Sequence, residues 1–380
     1  MAKAYYHYVQ RKKSESGQSS NVTYDLPEKG TVPYIVVRAF STPTASSNPA
    51  LPLNDAITKI EVIDGGTVIQ SLSGNQLHGL SMIRGNPTRA STETNDNAVE
   101  GYDDFIIMLG GKFNGTNYAP NFSNFTNPQI RITWDYSLTT TEFGMSCDAD
   151  TAPAMKFTVF CKVIPDGAGY THGYVKSREI KTWTQATSTE TKTEIPRDGN
   201  LVGIAIEAGY DALDWTEDVE QIKLSFNNGE WEPLHIYEEE IVKTQEEWFG
   251  RPFELTFWAD MKSGVEVDVH MGYADQTTIT PATHDAGHMY QFSNAHKGIE
   301  TLNIQDSAAA EYATYAQVKF KSTGFMPYNI YYIPARALTD GKSDWIELNS
   351  YKRVDLFTTS GSSASTSSTP AIIAEYLITR

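Results

Sequence analysis

Three groups of residues in this sequence have types and spacing that could do chemistry. His284-Asp285-Ala286-Gly287-His288 sets two imidazoles and a carboxylate within five positions, the beginnings of a metal site. The set lacks a further ligand, and its surroundings, TTITPATHDAGHMY, read as a polar surface loop. Glu238-Glu239-Glu240 and Glu246-Glu247 offer paired carboxylates of the kind that cleave glycosidic bonds. The same spacing suits the solvated face of a helix, which is the simpler reading. Asp103-Asp104 ahead of FIIMLGG reads as a turn before a strand.

Other signatures are missing. GAGYTHG, residues 167–173, is rich in glycine, but no Lys-Ser/Thr follows it as a phosphate loop requires. The sequence spells no dinucleotide fingerprint, nucleophile elbow, H-E-x-x-H or paired C-x-x-C. We therefore nominate no catalytic, cofactor-binding or metal-ligating residue, and expect a protein that is not an enzyme.

The elements that would carry these residues are strands. Apolar or alternating runs recur between Gly/Asn/Asp/Pro clusters, among them PYIVVRAF, QIRITW, MKFTVFCKVI, LVGIAIEA, QIKLSF and IIAEYLI, the signature of an all-β sandwich or barrel. In QIRITW, Ile130, Ile132 and Trp134 alternate with Gln129, Arg131 and Thr133, as a sheet with one buried face requires. Two segments read as short helices. IYEEEIVKTQEEWFG places Ile236, Ile241 and Trp248 near one face and stops at Gly250, and SGNQLHGLSMIRG stops at Gly85. The low-complexity stretch TTSGSSASTSSTP, residues 358–370, reads as a flexible hairpin loop between strong strands.

Composition narrows the function. Of 380 residues, 30 are basic and 47 acidic, a net charge of −17, which argues against wrapping nucleic-acid phosphates. The start, MAKAYYHYVQRKKSES, has no apolar signal-peptide core, and no run is long enough to span a membrane. Cys147 and Cys161 are read as free thiols of a reducing compartment.

The informative pattern is an internal repeat. KTEIPRDGNLVGIAIEA, residues 192–208, has the build of TYDLPEKGTVPYIVVRA, residues 23–39. Each copy continues through a strand and glycine turn, ITKIEVIDGG or VEQIKLSFNNG, to a Gly-x-Pro at Gly85 or Gly250. The endings match as well. QIRITWDYS, Pro153 and MKFTVFCKVI close the first copy, as YKRVDLFTTS, Pro370 and AIIAEYLITR close the second. The expected boundary lies in 164–174, giving domains 1–168 and 169–380, the second with longer loop insertions at about 274–345.

In these features the chain resembles the double jelly-roll major capsid proteins of tailless icosahedral viruses of bacteria and archaea. The likeness implies two consecutive eight-stranded jelly-roll β-sandwiches with short helices and long loops. It implies a structural subunit, a homotrimer of pseudo-hexagonal outline that tiles a virion shell formed in the host cytoplasm. Neighbouring trimers, penton proteins and minor capsid proteins would be its partners. Chain termini in that family commonly face inward, so Lys3, Arg11, Lys12 and Lys13 could touch an inner membrane or the genome; the plain alternative is a frayed, solvated terminus. A minor virion or spike protein, or a secreted or surface two-sandwich protein that binds or cleaves glycans, is the other reading.

Overall fold

A computed structural model describes residues 3–17, 19–41, 53–85, 92–94, 101–111, 118–135, 155–165, 173–209, 218–261, 267–270, 278–281, 288–293, 299–306, 316–364, 366 and 368–379. The first half contains β1 (Tyr5–Glu15), β2 (Ser19–Asp25), β3 (Tyr34–Ser41), β4 (Lys59–Asp64) and β5 (Thr67–Leu72). β6 (Thr92–Thr94), β7 (Gly101–Met108), β8 (Pro128–Asp135) and β9 (Met155–Val163) follow, with helices α1 (Leu53–Ala56) and α2 (Gly74–Ile83). The second half begins with β10 (Tyr174–Thr182), β11 (Glu190–Glu194), β12 (Asn200–Glu207), β13 (Gln221–Phe226), β14 (Trp231–Tyr237) and α3 (Glu238–Phe249). It continues with β15 (Phe253–Met261), β16 (Val267–His270), β17 (Thr278–Pro281), β18 (His288–Ser293), β19 (Ile299–Asp306) and β20 (Ala316–Gly324). It closes with β21 (Ile330–Pro334), α4 (Ala335–Leu338), β22 (Ile346–Glu347), β23 (Val354–Thr359) and β24 (Ala371–Ile378).

Strand order shows the repeat directly. The first half runs β1-β9-β3-β7 in one sheet and β2-β8-β4-β5 in the other. The second runs β10-β24-β12-β21 and β11-β23-β13-β14, the same order strand for strand. Each half is thus an eight-stranded jelly roll. Alternation drives the pairing: along β8 and β9 every second side chain is buried, so each strand has one possible inward face. The opening motifs make equivalent bonds, Leu26 N–H donating to Pro128 O (2.8 Å) and Ile195 N–H to Val354 O (2.9 Å). Both glycines admit a close approach, since a Cβ would meet the Val163 side chain at 2.7 Å on Gly30 and the Ile378 side chain at 2.8 Å on Gly199; Gly30 has in addition a φ of +93°.

The rolls are fused along two sheets. β5 lies parallel to β10 through Gln70–Ser177 and Ser71–Arg178, which joins four strands of each roll into one sheet, with β22 added beside β12. β6 lies parallel to β15 and links the other first-roll sheet to β15-β20-β17. Each roll has its own core. Ile60, Phe105, Ile132, Trp134 and Phe157 belong to one; Leu201, Phe226, Ile241, Tyr331 and Leu356 belong to the other. Ala205, Ile330, Tyr332 and Ile373 of the second roll pack into the first core.

Several readings change. Asp103 and Asp104 lie inside β7 and are buried, because Arg38 and His78 meet their charges. The N-terminal stretch is not frayed; it is an edge strand, and the polar approaches to both Pro-Gly motifs are strands as well. The 358–370 stretch is no hairpin, since β23 and β24 belong to different sheets. Nor is it loose: Ser368 Oγ donates to Asp218 Oδ2 (2.7 Å) and Ser360 N–H to Thr189 O (3.1 Å). Ile236 belongs to β14, and the helix starts two residues later. Cys147, Pro153, Asn86, Pro87, His284 and Asp285 lie outside the described residues, as does the His288 side chain.

Candidate functional site

The densest polar chemistry lies where the rolls meet, around α2. Ser73 caps this helix by accepting from Gln76 N–H, while Gln76 Oε1 accepts from Ser73 N–H (3.0 Å). That box leaves the Gln76 amide free to reach across, where Nε2 donates to Glu207 Oε2 (2.8 Å) and Glu179 Oε2 (2.9 Å). At the other end Arg84 pairs with Glu375, whose side chain has no solvent exposure. Ser177 Oγ (2.9 Å) and Tyr332 Oη (2.7 Å) also donate to that carboxylate. Arg84 donates in addition to Met108 O (3.1 Å), which ties both rolls to one guanidinium. Midway, His78 Nε2 lies 2.8 Å from Asp103 Oδ2, with its ring between Phe105 and Tyr328.

Electrostatics follow from burial. Desolvation, opposed by the Gln76 hydrogen bond and aided by Glu179 and Asp55, pushes the Glu207 carboxyl up to about 8. Burial likewise pushes the Tyr332 hydroxyl and the Cys161 thiol up to about 12, so Cys161 is an inert core thiol. This arrangement is glue. Glu207 and Glu375 of the second roll are engaged by Gln76 and Arg84 of the first.

A separate cleft of about 420 Å³ lies between the ends of α2 and α3, lined by Met82, Ile83, Gly85, Phe249, Arg251, Pro252, Phe253 and Glu254. The paired carboxylates of residues 238–247 all lie on α3. Glu240 Oε2 accepts from Tyr237 N–H (3.1 Å), Glu246 pairs with Lys243 (2.8 Å), and Glu238, Glu239 and Glu247 are exposed on the outer face of α3. Among the described residues no cluster of three His, Cys, Asp or Glu could hold a metal ion.

The basic N-terminal residues are arrayed along β1. Arg11 lies over the Tyr8 ring (5.0 Å), Lys12 over Phe40 (4.8 Å), and Lys13 pairs with Glu15 (2.8 Å); Lys3 is exposed ahead of the strand. Tyr5, Tyr6 and Tyr8 are 49%, 60% and 52% exposed, an unusual aromatic group for a sheet edge. Sequence reasoning missed Gln76, Arg84, Glu207 and Glu375. The available signal was a charge inside otherwise apolar strands, LVGIAIEA and AIIAEYLI.

No family model matches the sequence, and no curated protein matches it. Solved structures do. The chain is similar to the major capsid protein of STIV, Sulfolobus Turreted Icosahedral Virus (TM-score 0.59, 9% identity, 99% of this chain and 97% of that one). It is similar to the major capsid protein P2 of bacteriophage PM2 (0.53, 10%, 100% and 99%) and to the capsid of PBCV-1 virus (0.53, 8%, 99% and 94%). The match spans both rolls and their seam, and the chain has the double jelly-roll fold of these viral capsid proteins.

Proposed function

We propose that this chain is the major capsid protein of an icosahedral virus, a structural subunit and not an enzyme. One observation carries the reading: two rolls of identical strand order are fused side by side over the whole chain, in the shape of known shell subunits over nearly their full length. Two like rolls per chain supply six like units when three chains close a ring, which gives a hexagonal outline suited to tiling. Division into rolls at 1–168 and 169–380 is supported by the two cores. Of the 274–345 insertion, the strands up to Gly324 serve as added decoration, whereas β21 and α4 beyond them belong to the second roll. Neighbouring trimers, penton and minor capsid proteins are its partners in the virion. The basic end of β1, with Lys3, Arg11, Lys12 and Lys13, supports contact with an inner anionic membrane or the genome. Light scattering on the purified chain, followed by negative-stain images, tests the reading. A trimer with a hexagonal outline is expected; a monomer that binds or cleaves glycans overturns it.

A further inference from the structure

We propose that Gln76, Glu179 and Glu207 form a proton-dependent clasp between the two rolls of one chain. One proton shared by the two carboxylates lets a single amide hold both. Its loss to water frees the N-terminal end of α2, while Arg84 keeps the other end. The device goes beyond the capsid reading and does not depend on it.

The clasp has one amide for two acids. Gln76 Nε2 carries two hydrogens, donating one to Glu207 Oε2 (2.8 Å) and one to Glu179 Oε2 (2.9 Å). Those two oxygens therefore lie within about 6 Å of each other, close enough for like charges to repel strongly. Gln76 Oε1 accepts from Ser73 N–H (3.0 Å), which fixes the way the amide faces and leaves it no spare hydrogen. Both acids belong to the second roll, Glu179 on β10 and Glu207 on β12, whereas α2 belongs to the first. A third acid, Asp55 of α1, adds its field to Glu207 and accepts from Asn75 Nδ2 (2.5 Å).

No cation offsets Glu179 and Glu207 among the described residues. The neighbouring cations on β10 face elsewhere: Arg178 Nη2 meets Asp198 Oδ2 (2.6 Å), and Lys181 Nζ donates to Lys192 O (2.8 Å). On α2 itself, His78 is paired with Asp103 and Arg84 with Glu375. The strand neighbours of Glu207 are Ala371 and Ile330, and that of Glu179 on β24 is Ile373, all apolar. Two acids around one amide, without a counter-charge, are held together best when one is neutral. Glu179 is exposed and Glu207 half-buried, so the proton rests on Glu207. Burial, with the charges of Glu179 and Asp55, outweighs the Gln76 hydrogen bond there and holds the proton up to about pH 8.

The far end of α2 is built differently. Arg84 meets Glu375 there, and Ser177 and Tyr332 donate to the same carboxylate, so opposite charges already match and no added proton is needed. Rising pH should therefore part the seam from one end, with Arg84 as the pivot.

Thiol labelling of the full chain tests the clasp. Ala205→Cys puts a thiol on the second roll where it packs into the first core, and Ala374→Cys puts one inside the second core. Neither alanine is exposed, so each thiol reacts only on opening. The unaltered chain supplies the blank for Cys147 and Cys161, and a free cysteine peptide corrects for thiolate content. From pH 7 to pH 9, maleimide labelling at 205 should rise about tenfold, the ratio set by a group that titrates near 8. Labelling at 374 should change by less than about twofold, because the second core stays closed. Adding Glu207→Gln should abolish the rise at 205. Adding Glu179→Gln should move it to lower pH, since the repelling charge is gone. An equal rise at both positions means that the whole chain opens, and overturns the clasp. So does a flat response at 205, or a rise there that survives Glu207→Gln. Should Ala205→Cys lose its thermal transition, Ala371→Cys, buried opposite Glu207 on β24, decides in its place.

Discussion

Arg84 holds two rolls with one side chain, and that concentration makes it vulnerable. Arg84→Met leaves Glu375 charged in a site without solvent, a loss of about 3–5 kcal/mol. Denaturant melts should show it, and adding Glu375→Gln should return part of it, since Ser177 and Tyr332 can still serve a neutral amide. Glu207 gives a dependence on pH. Its folded carboxyl titrates near 8 against an ordinary 4.5, so between those values the folded chain holds a proton that the unfolded chain has released. Stability from this group is whole below about pH 4.5 and is lost as pH rises through 8. Glu207→Gln should flatten that decline by about 1–2 kcal/mol, discounted for its partial solvent access, when melts at pH 6 and pH 9 are compared. Both glutamates stand out in the sequence as charges within apolar strands. Their partners do not, because Gln76 and Arg84 are more than a hundred positions from Glu207 and Glu375. Asp103 and Asp104 misled for the converse reason: adjacent acids suggest a turn unless His78 and Arg38 are seen beside them.

At the level of elements, α2 is limited by how closely it approaches the second roll. A Cβ on Gly79 would lie 2.5 Å from Ile330 Cδ1 and 2.8 Å from Pro327 O. Alanine is the better helix former by up to about 1 kcal/mol, yet a backbone oxygen cannot give way as a side chain can. Gly79→Ala should therefore lower stability by about 1–3 kcal/mol, read as a lower thermal midpoint. Both helices were legible, since a terminal glycine marks the stop of each locally; the start of α3 was not, because Tyr237 caps it with no side-chain hydrogen bond. Strands with apolar alternation, such as β8 and β9, were legible for the same reason. β1, β2, β10 and β11 were not. In β11 only Thr193 of ETKTE is buried, so pairing with β23 defines the strand and hydropathy does not.

For the whole molecule, duplication could be read because each roll needs the same entry turn, strand and glycine punctuation at its start. The fusion of the rolls could not be read, since β5 and β10 share two residue pairs across a long separation in sequence. A net charge of −17 sets copies apart at long range, so assembly of such copies depends on short-range contacts. One feature of strand order bears on how such a chain is made. β9 lies between β1 and β3, and β24 lies between β10 and β12, so each roll's last strand enters the middle of a sheet. During synthesis the first roll can close once Val163 has left the ribosome. The second keeps an open gap, with apolar Leu201, Ile204 and Ile206 beside it, until the strand ending at Ile378 arrives. Completion of the second roll thereby waits for β24, and a nascent chain cut short before that strand cannot offer its neighbours a finished second roll.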